Sequence, residues 1–227
     1  MFTKKNILSA SLFFLFTVDS YAGFGLETTR LVYNEKNKSE GVVAFNTDKN
    51  RNYLLQSWIE DANGNVSPDF VTTPPLLKLR AEQKNTLQIT KVTGMPADRE
   101  TLYWLNVKFV APSNEDQENV LRYSMTNKIK VIYRPDSLPG KNLDPAAEKL
   151  VWKAGGRTVT VKNPTPYYIN ISGIRINQRD VPFTQGYFAP FSDTAVALPS
   201  PAVRNAPVSV MYINDYGKSI EKQFLLQ

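Results

Sequence analysis

The 227-residue chain contains neither cysteine nor histidine. Without thiols an exported fold cannot be held by disulfides and must rest on buried apolar surface. Without imidazole or thiol, Ser-His-Asp and Cys-His catalysis are excluded, as are nearly all zinc sites. Long apolar runs are scarce too: beyond the N-terminus nothing approaches the ~20 residues that span a bilayer, so no stable membrane insertion is expected. Lys and Arg total 27 against 21 Asp and Glu, but they are scattered and never form a dense run. That pattern argues against nucleic acid as a partner. There is no glycine-rich phosphate loop.

What is present begins with Lys4 and Lys5, an apolar run from Ile7 to Val18, and Ser20-Tyr21-Ala22. Basic, apolar and small-residue zones in that order read as a secretory signal peptide over residues 1–22, cleaved near Ala22. Removing Lys4, Lys5 and Asp19 leaves 25 basic against 20 acidic residues, so the mature chain is still basic. Its roughly 205 residues suffice for one large β domain or two of about 100 each.

Short runs rich in β-branched and aromatic residues read as strands: Val42 to Phe45, Tyr53 to Ile59, Thr86 to Ile89, Tyr103 to Phe109 and Val120 to Tyr133. Asn63-Gly64, Thr73-Pro74-Pro75, Met95-Pro96 and Ala111-Pro112 punctuate them as turns. Asp136 to Pro145, with its prolines and glycine and little to bury, reads as a linker. Strands resume at Leu150 to Trp152, Thr158 to Val161, Tyr168 to Ile174, Ala195 to Leu198, Val208 to Ile213 and Ser219 to Leu225. Gly155-Gly156 suits a hairpin between the first two of these. The pattern predicts an all-β protein of two sandwiches, immunoglobulin-like in topology, with closed barrels the alternative. The domains are expected at residues 23–138 and 139–227.

Several segments, in order, resemble the PapD-type periplasmic pilus and fimbrial chaperones. They are Thr29-Arg30, Trp58-Ile59-Glu60, Thr73-Pro74-Pro75, Asp98-Arg99-Glu100, Lys128-Ile129-Lys130 leading to Tyr133-Arg134-Pro135, Asn163-Pro164-Thr165-Pro166-Tyr167-Tyr168, and Tyr212-Ile213-Asn214-Asp215-Tyr216-Gly217. The resemblance implies two immunoglobulin-like domains in a boomerang, with a pilus subunit held in the cleft and along the last strand of the first domain. The short, polar Ala111 to Glu118 loop resembles the short-loop subclass.

From Asn119 to Tyr133, Leu121, Tyr123, Met125, Ile129 and Val131 alternate with Arg122, Ser124, Thr126, Lys128 and Lys130. Pattern alone would make this an ordinary half-buried strand. The resemblance implies that it is lent to a subunit lacking its final strand, with Leu121, Tyr123 and Met125 as the donor residues. It also implies that Arg30 and Lys130 hold the subunit's C-terminal carboxylate, with Lys128 as the competing anchor. Glu100, Arg134 and Asp215 correspond to an ion-pair network between the domains. Asn163-Pro164-Thr165-Pro166 reads as structural, and the Asn170-Ile171-Ser172 glycosylation match is set aside for a bacterial export setting.

The expected function is therefore an ATP-independent export chaperone of the Gram-negative periplasm. Its partners would be pilus subunits and an outer-membrane usher, and a self-capping dimer would cover the strand when unoccupied. No catalytic role, cofactor or metal is implied. One rival is a structural pilus subunit or adhesin with tandem sandwiches, although strand-like sequence begins almost directly after the signal peptide. The remote rival is a glycan hydrolase using paired carboxylates, for which Glu60-Asp61 and Glu115-Asp116 offer only adjacent acids in turns or loops.

Overall fold

A computed structural model describes residues 23–112, 123–138 and 143–227. The signal-peptide reading and Leu121 lie outside the described residues. The first half of the chain forms β1 (Phe24–Leu26), β2 (Arg30–Asn34), β3 (Ser39–Asn46), β4 (Tyr53–Glu60), β5 (Phe70–Thr73), β6 (Leu76–Leu79), β7 (Lys84–Lys91), β8 (Thr101–Val110) and β9 (Ser124–Arg134). After a short helix α1 (Asp144–Ala147) come β10 (Val151–Gly155), β11 (Thr158–Asn163), β12 (Ile169–Ile176), β13 (Arg179–Asp180), β14 (Tyr187–Phe188), β15 (Ser192–Ala197), β16 (Pro207–Ile213) and β17 (Ser219–Leu225).

In the first domain, sheets β1-β3-β7-β5 and β2-β9-β8-β4-β6 face each other. In the second, β10-β11-β15 faces β13-β12-β16-β17, with β14 also pairing β12. Each pair of sheets encloses its own core, giving the two immunoglobulin-like sandwiches expected. The period-two pattern explains the packing: β4 buries Tyr53, Leu55, Ser57 and Ile59 and turns the residues between them outward. Aromatic residues fill the centres. Phe70 meets Tyr33 and Tyr103 edge-on at 5.1 and 4.9 Å, and Trp152 meets Phe188 at 5.8 Å.

The chain's entry into the first domain positions the site. β1 pairs with β3 in one sheet, but after Glu27 to Thr29 the chain crosses over, and β2 runs parallel to β9 in the other. Thr28 Oγ1 donates to the Arg30 carbonyl at 2.6 Å at this crossing. Because β2 begins only at Arg30, it covers β9 from Lys130 to Arg134 and no further.

The Asp136 to Pro145 linker is shorter than its composition suggested. Leu143 is buried in the second core and α1 starts at Asp144, so apolar contact recruits the end of the segment into the domain.

Candidate functional site

β9 is bonded to β8 along its whole length, from Ser124 opposite Val110 to Tyr133 opposite Thr101. On its other side β2 reaches only Lys130. Among the described residues, Ser124 to Ile129 therefore carry one open row of backbone donors and acceptors, roughly 20 Å long at ~3.3 Å per residue. Such an edge is a template for another strand. Tyr123 and Met125 stand beside it 49% and 51% exposed, while Ile129, Val131 and Tyr133 of the same parity enter the core. The apolar row thus emerges from the sandwich interior.

At the inner end of that edge, Arg30 and Lys130 are direct neighbours in the parallel ladder. Lys130 Nζ donates to Gly186 O at 2.9 Å and Asn170 Oδ1 at 3.0 Å, and lies 5.1 Å from the centre of the Tyr187 ring. Arg30 Nη1 donates to Ile213 O at 3.2 Å. All these acceptors are neutral and belong to the second domain. Among the described residues, no carboxylate forms an ion pair with either cation. Burial, and then Arg30, push the Lys130 ammonium down to about 8. Burial likewise lowers Arg30, which Asp215 partly offsets. The two cations line an open concavity of ≈ 230 Å³ together with Lys128 and Trp104 of the first domain and Asn170, Gly186 and Ile213 of the second.

Lys128 lines the same concavity but is differently partnered. Its Nζ is 2.7 Å from Glu60 Oε2 and 5.3 Å from the Trp104 ring centre, and Glu60 also accepts from Trp58 Nε1 at 2.9 Å. Its charge is already compensated.

Glu100, Arg134 and Asp215 come together where the two domains meet. Arg134 Nε donates to Glu100 Oε1 at 2.5 Å, while Nη1 and Nη2 grip Asp215 at 2.5 and 3.1 Å. Glu100 Oε2 also accepts the Tyr168 N–H at 2.7 Å, so one carboxylate of the first domain ties down the backbone of the second. Burial pushes the Glu100 carboxyl up to about 7, against the pull of Arg134 and the Tyr168 N–H. Burial opposes the Arg134 charge as well, but its bonds to Asp215 and Glu100 hold it above its ordinary value. Arg134 stays protonated, while burial favours the neutral form of Glu100.

Two contributions were invisible to sequence reasoning. The carbonyls of Gly186 and Ile213 act through backbone that any residue supplies. Asn170 was visible only inside a glycosylation match; it is buried, 4% exposed. The Asn163-Pro164-Thr165-Pro166 segment proves structural: Asn163 Nδ2 donates to Tyr167 O and Ala189 O, both at 2.8 Å, and Oδ1 receives the Thr165 hydroxyl at 2.7 Å.

Comparison with known proteins agrees with this architecture. Residues 23–139 match the family described as pili and flagellar-assembly chaperone, PapD N-terminal domain, and residues 145–224 match pili assembly chaperone PapD, C-terminal domain. The chaperone protein FimC of Escherichia coli is 36% identical over 200 residues, covering 86% of this chain and 81% of its own. A solved complex of the Salmonella enterica SafA pilin with the SafB chaperone superposes at TM-score 0.82 and 28% identity, covering 92% of this chain and 99% of the other. The E. coli chaperone DraB superposes at TM-score 0.78 and 31% identity, covering 90% and 96%. With both domains matched in order, the chain belongs to the PapD family of pilus-assembly chaperones.

Proposed function

We propose that the chain, exported behind residues 1–22 into the periplasm, lends β9 to incomplete pilus or fimbrial subunits. The domain at 23–138 supplies the strand, and the domain at 139–227 closes the cleft around the subunit's C-terminus. One observation carries this reading. Among the described residues, an unpaired strand edge, exposed Tyr123 and Met125, and then Lys130 with its β2 neighbour Arg30, neither of them in an ion pair, follow one another along this side of the sheet. Main-chain bonds along the edge give sequence-tolerant affinity, and alternate side chains give selectivity. Tyr123, Met125 and, by position, Leu121 enter the subunit's open core. Each buried side chain contributes roughly 1.5–3 kcal/mol, of which association and ordering consume much.

A C-terminal carboxylate is acceptor-only and fits between Arg30 and Lys130. Lys128, already paired with Glu60, is the weaker candidate. The Glu100–Arg134–Asp215 group sets the angle between the domains and so the width of the cleft. Release at an outer-membrane usher then follows from exchange of β9 for a better-fitting strand, without ATP. A dimer that pairs the free edges caps the empty chaperone.

Co-expression with the exported proteins encoded beside it, followed by identification of what copurifies, tests the reading. Arg30→Ala and Lys130→Ala are each expected to fold normally and to lose periplasmic recovery of subunit. Normal recovery in both variants overturns the anchor.

A further inference from the structure

The two cations at the end of β9 belong to the first domain, yet their orientation comes from the second. The register explains how. Asn170 on β12 has Tyr187 of β14 on one side and Ile213 of β16 on the other. Three acceptors therefore stand close together: Asn170 Oδ1, and the carbonyls of Gly186 and Ile213. Gly186 takes φ +68°, a backbone conformation that favours glycine and that turns its carbonyl toward Lys130 Nζ. An ammonium has three protons. Two are committed to Gly186 O and Asn170 Oδ1, so the direction of the third is set.

We infer that Asn170 is a positioning residue for the carboxylate anchor, aiming Lys130 from the opposite domain without neutralising it. The inference rests on the anchor reading above. The contrast with Lys128 carries the argument, because that cation already has a carboxylate partner, Glu60, at 2.7 Å. An aspartate at 170 would do the same to Lys130 and fill the anchor with a permanent internal anion. An amide has the same shape and offers the same acceptor oxygen, but leaves the charge standing. Two neighbouring cations held by neutral oxygens have an electrostatic deficit that an incoming anion removes. The depressed titration of Lys130, caused by burial and then by Arg30, agrees with this deficit. The role also accounts for an asparagine that is 4% exposed, where a glycan acceptor would stand at the surface.

The test uses the whole mature chain with Asn170→Asp and Asn170→Ala. The probe is an N-acetylated octapeptide of alternating threonine and valine, made as the free acid and as the C-terminal amide. Lys130 is followed by NMR of labelled lysine side chains and assigned with Lys130→Gln. Wild type is expected to favour the acid by about tenfold or more. Asn170→Asp is expected to abolish that preference and to raise the Lys130 titration by about one pH unit or more. Asn170→Ala keeps the titration low while weakening the preference several-fold, because the charge remains and its aim is lost. An Asn170→Asp protein that keeps both the wild-type preference and the wild-type titration overturns the inference. Equal or absent binding of the two peptides to wild type overturns the anchor itself, and the Lys130 titration still decides the role of Asn170.

Discussion

The carboxyl of Glu100 offers a sharp test of the domain junction because the chain has no histidine. No imidazole titrates between pH 5 and 7.5, so a buried carboxyl raised from its ordinary 4.5 to about 7 stands out. The folded state holds this proton more tightly than the unfolded chain, whose Glu100 is already ionised above about pH 5. Stability is therefore greatest below the unfolded value and falls as pH rises through the folded one. At about 1.4 kcal/mol per pH unit, the full loss is ~3 kcal/mol. Glu100→Gln keeps the volume and stays neutral, so its stability is expected to be flat across the same window. Urea denaturation at half-unit intervals from pH 5 to 8 gives the comparison. The wild-type advantage at pH 5 should shrink, or reverse, by roughly 3 kcal/mol by pH 8. Parallel curves, or a wild type whose stability rises with pH, would refute the argument that burial outweighs Arg134 and the Tyr168 N–H.

Met125→Glu is expected to leave the empty chaperone within about 0.5 kcal/mol of wild type, since Met125 is 51% exposed. It should lower subunit protection from proteolysis at least tenfold, by placing a charge in an apolar groove. Lys130 loses its proton above about 8 in the free protein, whereas a bound carboxylate favours the charged form. Subunit affinity should therefore fall about tenfold from pH 7 to 9 with proton uptake on binding, and a flat calorimetric profile would contradict the anchor. Asn163→Ala removes acceptors and donors from a side chain that is 0% exposed, and should cost about 3 kcal/mol or more. The loss is read at Trp152, the second-domain tryptophan, with the first-domain signal of Trp58 and Trp104 little changed.

The long strands were legible because each carries a run rich in β-branched and aromatic residues, and several also have a buried parity. Tyr53 to Ile59 became β4, whose burial alternates strictly although its sequence does not, Leu54 facing out and Ser57 in, and Val208 to Ile213 became β16. The strands that escaped are short and owe their pairing to distant partners. β5 and β6 meet at Thr73-Pro74-Pro75, which reads locally as a turn, but Thr73 is still paired in β5 and only Pro74-Pro75 bend the chain from one sheet to the other, so four residues on each side of the prolines find ladder positions on β7 and β4. β2 is the instructive case. Nothing local distinguishes Arg30–Asn34 from β1, and only the crossover between sheets decides that it pairs with β9 and stops at Lys130.

That stopping point also explains why the site was only partly legible. Alternation in Tyr123 to Val131 is compatible with a fully paired strand, and the open edge is a property of where β2 begins, 93 residues or more away in the chain. Lys128 and Lys130 have the same type, the same parity and the same strand, so no local rule separates them. They differ in what the rest of the fold brings opposite: a carboxylate on β4 for the first, and neutral oxygens of the other domain for the second. The site is therefore assembled by the junction as much as by β9. Arg134→Ala, which removes the bond to Asp215, is therefore expected to weaken binding of a free C-terminal carboxylate severalfold without touching Arg30, Lys130 or Asn170, and unchanged binding in calorimetry would separate the junction from the site.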